Sequence, residues 1–178
     1  EKVTDPADSI TNLYGWDTIN AVPIEAINGI SIFTGAGSEE SAYSLYVPAY
    51  QNIVDQHTPY EIDINGSIDS LYIEYEVTVS LDSNFSNQDQ QVHIFIVEDN
   101  IMSVWWIFED VNHNARNVVR RWESINDLDI SEAGESQSFS GSFIIDSDAW
   151  NPDNIKIISV VQNSSTSEIF QAYQMSVN

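Results

Sequence analysis

Ser70-Leu71-Tyr72-Ile73-Glu74-Tyr75-Glu76-Val77-Thr78-Val79-Ser80-Leu81 is the stretch that decides the fold. Leu71, Ile73, Tyr75, Val77, Val79 and Leu81 fall on one side of a period-two repeat, and Tyr72, Glu74, Glu76 and Thr78 on the other. Alternation of this kind reads as a strand with one buried and one solvated face. The same code continues on both sides of it. Tyr60 to Ile64 alternates, Asp82 to Gln90 is a polar loop, and Gln91 to Glu98 reads as a buried strand through Val92, Ile94 and Ile96. Asp99-Asn100 reads as a tight turn, from which Ile101 to Glu109 returns as an aromatic strand carrying Trp105, Trp106 and Phe108. Gln137 to Ile145 alternates again, and Ile155 to Gln162 with Glu168 to Val177 close around a turn at Asn163 to Ser167. Roughly six to eight strands with polar turns and no long helix predict a mainly β protein, an antiparallel β-sandwich of immunoglobulin or jelly-roll type, over residues 59–178.

The first 58 residues differ. Residues 1–12 are polar and read as an arm or linker. Ala21 to Ile27 and Gly29 to Phe33 predict a hairpin turned at Asn28-Gly29. Ser38 to His57 places Tyr43, Tyr46, Val47, Tyr50, Ile53 and Val54 at helical spacing, with Pro48 expected to start or kink the helix and not to sit in its middle. A strand pair with one helix is too small to stand alone. Residues 1–58 therefore read as a small α+β remnant that packs on the sandwich or on a further element.

Composition narrows the function. The 178 residues carry 28 acidic against 5 basic side chains, a net charge of −23, and no cysteine. Such a surface repels nucleic-acid phosphates and anionic membranes and attracts cations, so no nucleic-acid partner is expected. Without cysteine there is no disulfide scaffold, no thiolate zinc site and no thiol nucleophile. An apolar content of 42% still supports a folded core. No apolar run approaches the roughly 20 residues that cross a bilayer, so no transmembrane segment is expected. Residues 1–20 lack the layout of a secretory leader, which reads as a mature or trimmed chain. High acidity with little lysine suits secretion into salty surroundings, where screening over about 8 to 10 Å relaxes self-repulsion.

Three groups of residues are candidates for chemistry. Asp146, Asp148 and Asp153 space oxygen donors through a loop that ends in Trp150-Asn151-Pro152-Asp153-Asn154, and calcium is the cation such donors suit. The loop lacks the glycine and terminal glutamate of an EF-hand, and the alternative is a solvated turn capped by Asp146 or Asp148. Asp127, Asp129, Glu132 and Glu135 form a weaker acidic group. His113, Arg116 and Arg120, with Arg121, make a candidate clasp for an anion or carboxylate; alternatively these arginines neutralise the acidic surface through intramolecular ion pairs. Trp105 and Trp106 must point to opposite faces of a strand, so that one can stack on a sugar while the other packs inward. His57 and His93 are isolated, and three scattered histidines do not suggest zinc. No Gly-x-Ser-x-Gly, phosphate loop or His-Glu-x-x-His occurs, so no catalytic residue is assigned and no enzyme is expected.

Two stretches carry a family resemblance. Tyr14-Gly15, Asn20-Ala21-Val22-Pro23, Ile27-Asn28-Gly29-Ile30 and Phe33-Thr34-Gly35 resemble the second half of a thioredoxin-like domain. The Cys-x-x-Cys half is missing, so redox chemistry is not carried over. Phe95-Ile96-Val97-Glu98-Asp99-Asn100-Ile101, then His113-Asn114 and Arg120, then Trp150-Asn151-Pro152-Asp153-Asn154, Val160-Val161-Gln162 and Glu168-Ile169-Phe170-Gln171-Ala172, are similar in order to the Omp-twenty-eight-related outer membrane proteins of Gram-negative bacteria. In that family a thioredoxin-like half precedes a β-sandwich half. The resemblance implies an extracellular or outer-membrane-surface location and a structural or interaction role. An incomplete sheet behind a polar arm adds an expectation of self-assembly, as a homo-oligomer or filament joined by strand addition. The alternative is a carbohydrate-binding module stabilised by calcium, with a glycan as partner.

Overall fold

In the computed structural model, residues 24–35, 37–86, 89–104 and 112–177 are described. The predicted first hairpin forms from β1 (Ile24–Ile27) and β2 (Ser31–Thr34). Asn28 and Gly29 turn it with φ of 55° and 73°, the paired left-handed residues that match a hairpin's twist. Helix α1 (Glu39–Gln51) follows. Its N-cap Ser38 accepts the Ser41 amide, while the Ser41 hydroxyl accepts the Ser38 amide at 2.8 Å. Pro48 lies inside this helix, contrary to expectation. It stands four residues before the C-cap Asn52, whose amide donates to the Pro48 carbonyl at 3.1 Å, so the ring interrupts only the last turns.

The sandwich is built from β3 (Tyr60–Asp69), β4 (Tyr72–Leu81), β5 (Gln90–Glu98), β6 (Ile101–Val104), β7 (Asn112–Ala115), β8 (Val118–Asp127), β9 (Ser136–Ile144), β10 (Ile155–Asn163) and β11 (Ile169–Ser176). One sheet has the order β11-β10-β5-β8 and the other β3-β4-β9, with antiparallel pairing throughout. That order is the immunoglobulin-like one in which the fourth strand has joined the larger sheet. The alternation of β4 is realised: Ile73, Tyr75, Val77, Val79 and Leu81 are buried against Val92, Ile94 and Ile96 of β5 and Ile155, Ile157 and Val161 of β10. Along one side of the sandwich β11 packs beside β3.

Two features of the sandwich also depart from the sequence reading. Asp99-Asn100 does not reverse the chain: β5 pairs with β8, and β6 pairs with β7. The four strands form one long hairpin with a break between Glu98↔Val118 and Ile101↔Ala115, where Asn100 and Asn117 both take left-handed φ of 56° and 50°. Strand β8 has no periodic signature because its register shifts twice. The partner of Ile94 is Ser124 and that of Phe95 is Trp122; the partner of Ile96 is Arg121 and that of Val97 is Val119. Glu123 and Arg120 are thus the extra residues of two bulges.

The α+β remnant docks through its turn. The Ile169 amide donates to the Asn28 carbonyl at 3.0 Å, and Phe33 packs edge-on against Tyr46 of α1 at 5.1 Å. The predicted arm of residues 1–12 and the stretch through Pro23 lie outside the described residues.

Candidate functional site at the base of the β6–β7 arm

Strand β5 ends on two carboxylates that its apolar run carries into the interior: Glu98 is 5% exposed and Asp99 3%. A buried carboxylate demands cations. The fold supplies three of the chain's five basic residues. Arg116 pairs with Asp99 through Nε and, at 2.8 Å, through Nη2. Lys156 of β10 donates at 2.5 Å to Asp99 Oδ2, the oxygen that also receives Arg116 Nη2. The first bulge residue, Arg120, donates from Nε to Glu98 at 2.8 Å, and the Asn151 amide donates to the second Glu98 oxygen at 3.1 Å. Arg116 foremost, and then Lys156, holds the Asp99 carboxyl far below the usual carboxylate range, against a desolvation that acts the other way. Asp99 in turn raises Arg116. The Asp99 amide donates to the Asn154 carbonyl at 2.9 Å, so the cluster also ties the hairpin break to the 146–154 loop. Chemically this is a closed charge network whose donors and acceptors are turned on each other, and it fixes the direction in which the β6–β7 arm leaves the sandwich.

The residues singled out from sequence fall as follows. Arg116 and Arg120 lie 63% and 28% exposed, each in an intramolecular ion pair. His113 is exposed on β7 opposite Ser103. Trp105 and Trp106 lie outside the described residues. The Asp146 carboxylate accepts the Asp148 amide at 3.2 Å and its carbonyl accepts the Trp150 amide at 2.7 Å, while Asn151 caps a short 3-10 turn, Pro152–Asn154, by accepting the Asp153 amide. Among the described residues no three histidine, aspartate or glutamate side chains gather closely enough to hold a metal ion, and Asp146, Asp148 and Asp153 are not brought together. In the weaker acidic group, Glu135 accepts the Ser131 and Glu132 amides at 2.8 and 2.9 Å, which lowers its pKa.

Sequence reasoning missed Glu98, Asp99 and Lys156 as members of the cluster. The available signal was an acidic doublet closing an apolar strand in a chain with few cations. It also missed the outer face of β5, where His93 is 1% exposed and stacked near Trp122 and Phe95, with ring centroids 5.3 and 6.3 Å away. Neither imidazole nitrogen has a hydrogen-bond partner among the described residues, and burial pushes the pKa down to about 4. On the inner face Arg121 pairs with Glu123 and lies 5.5 Å over the Phe143 ring.

Among the described residues no helix is long and apolar enough to cross a membrane. No family model and no curated protein matches the chain. The fold is similar to that of HBP35 of Porphyromonas gingivalis, with a TM-score of 0.68 and 14% identity over 95% of this chain and 57% of that one, so this chain spans little more than half its length. A domain of the outer membrane lipoprotein Omp28 from Porphyromonas gingivalis matches with a TM-score of 0.48 and 13% identity, over 69% of this chain and 91% of that one. A β-glucosidase from Kluyveromyces marxianus matches with a TM-score of 0.39 and 15% identity, over 72% and 17%. At these identities the likeness is one of fold, and the two lower scores decide nothing further.

Proposed function

We propose that this chain is a non-enzymatic structural or interaction protein of the extracellular space or outer-membrane surface of a Gram-negative bacterium, and that it works by assembling with further copies through β-strand addition, up to filaments. One observation carries the reading: among the described residues the β1–β2–α1 unit leaves apolar surface and strand edges uncovered. Helix α1 has no buried residue, and Ile30, Ile32, Tyr43, Leu45, Tyr50 and Val54 are all exposed. Among the described residues neither β1 nor β2 has a third strand beside it. A monomer seldom leaves apolar surface concentrated in one region, and unpaired strand edges take up strands. Negative-stain electron microscopy and light scattering of the purified chain test this. Ordered polymers or concentration-dependent oligomers that Leu45→Glu with Tyr50→Glu abolishes support it; monomers at every concentration sink it. Running both with and without calcium tests Asp146, Asp148 and Asp153 as a cation loop.

The second reading, a carbohydrate-binding module, has one observation in its favour. A groove of about 360 Å³ follows the seam of β3 and β11, where the half-exposed ring of Tyr173 stands beside Glu61, Asp63 and Thr78. An aromatic platform flanked by carboxylates suits a sugar ring. Glycan-array binding lost on Tyr173→Ala would favour this reading over assembly.

A further inference from the structure

The open side of the sandwich ends on two edges that are guarded very differently. Strand β8 is twice bulged and carries Arg120, Arg121 and Glu123, which is how sheets protect an edge from other chains. Strand β9 has no such device. It pairs with β4 in unbroken register from Tyr72↔Ile144 to Ser80↔Ser136, and among the described residues no strand lies on its other side. Between Glu135 and Asp146 there is no charge and no proline, in a chain of net charge −23. Its start is pinned, because the Gln137 side chain accepts the Asp129 amide at 2.8 Å and donates to the Asp127 carbonyl at 3.2 Å. The edge is flat, uncharged and held straight.

We propose that β9 pairs antiparallel with β9 of a second copy, about a two-fold axis at Ser140. The register is self-complementary. Ser140 faces its own equivalent, Ser138 faces Ser142, and Ser136 faces the exposed Ile144. Phe139 falls opposite Gly141, whose backbone is already covered by the Tyr75 ring of its own chain, so the small residue leaves the inner side of the pair free of a clash. The pairing is isologous and closes at two copies, giving a continuous sheet β3-β4-β9-β9-β4-β3. Residues 136–145 bring no charge to the seam; the bounding carboxylates Glu135 and Asp146 meet across it only at its two ends, and Glu76 of β4 leans toward the axis, where it accepts a hydrogen bond from the Ser140 hydroxyl at 3.4 Å. These carboxylates repel their counterparts across the axis, so the pairing tightens as salt screens them over about 8 to 10 Å. One strand pair buries little area, so the dimer is weak and concentration-dependent.

The seam shares only the choice of a second copy with the assembly reading above and uses none of the β1–β2–α1 surface. The natural absence of cysteine makes the test clean. Directly opposed strand residues are about 4.5 to 5.5 Å apart at Cα, within disulfide reach. Under mild oxidation the full chain with Ser140→Cys gives covalent dimers, Ser136→Cys alone does not, and Ser136→Cys with Ile144→Cys does again. Ser140→Lys, at an exposed position, keeps the wild-type circular dichroism and shifts light-scattering mass toward monomer. Equal crosslinking of Ser140→Cys and Ser136→Cys, crosslinking to a different chain, or none at all overturns the seam. If Ser140→Cys fails while assembly still depends on Leu45 and Tyr50, the seam falls and the N-terminal reading stands. Crosslinking that survives Leu45→Glu with Tyr50→Glu upholds the seam independently of that reading.

Discussion

A Cβ placed on Gly29 would lie 1.8 Å from the carbonyl oxygen of Ser167, so the hairpin turn is pressed backbone to backbone against the β10–β11 loop. No side chain can move aside to relieve that contact, and φ of 73° disfavours any L side chain in addition. Gly29→Ala should therefore lift the hairpin off the sandwich. The expected result is hydrogen exchange at least about tenfold faster at the β1–β2 amides, with the amides of β4, β5 and β10 unchanged. Equal exchange at β1–β2 in both proteins would contradict the docking.

The Asp99 cluster predicts a specific acid response. Its folded pKa is depressed, so its contribution is complete above the ordinary carboxylate range near pH 4 and is lost as the pH falls through the lower folded value. Asp99→Asn removes that contribution, leaving Arg116 and Lys156 facing a neutral amide. The variant should melt several degrees lower at pH 7, and the gap to wild type should narrow below pH 4. A constant gap across that range would mean that the charge of Asp99 is not what holds the arm.

His93 acts in a different window. Its folded value of about 4 lies below the ordinary 6.5, so the unfolded chain takes up the proton first as the pH falls. Stability is whole above about pH 6.5 and is lost down to about pH 4. On this account the fold is about 2 kcal/mol weaker at pH 5 than at pH 7 from this group alone. His93→Phe, which keeps an aromatic ring beside Trp122, should flatten the pH 5 to 7 limb of urea-unfolding stability. A wild-type slope in that variant would acquit the histidine.

Tyr60 is 1% exposed, packs against Phe85 and Phe170 at 5.5 and 5.9 Å, and has a hydroxyl without a hydrogen-bond partner among the described residues. Burying an unpaired hydroxyl costs stability that an apolar replacement of the same shape recovers. Tyr60→Phe should equal wild type or exceed it by up to about 1 kcal/mol in denaturant unfolding. A loss of more than about 1 kcal/mol would show that the hydroxyl has a partner, such as a bound water.

What could be read from the sequence was whatever obeys a local period. Strand β4 and the Asn28-Gly29 turn were legible because one-sided burial and left-handed φ both write themselves into neighbouring residues. Strand β8 was not, because its two bulges move Val119, Arg121 and Trp122 out of alternation. Asp99-Asn100 has the composition of a hairpin turn without being one for a related reason: turn propensity is local, but the partners that redirect Asp99 come from Arg116 and Lys156, far along the chain. Arg116 and Arg120 stood out by scarcity, whereas Glu98 and Asp99 were hidden among 28 acids, since only burial distinguishes them. Pro48 obeyed its tertiary setting against its local preference.

Spending cations on the interior leaves little for a protease that cuts after lysine or arginine. Arg120, Arg121 and Lys156 sit within ladder strands with side chains at most 28% exposed, so cleavage beside them waits on opening of the sheet. Arg116, in the bend between β7 and β8, is the accessible exception among the described residues. The ion network that aims the β6–β7 arm thereby also sets the digestibility of the described residues: against trypsin-like enzymes their lifetime is governed by the exposed bond at Arg116 and the unfolding equilibrium of the sandwich.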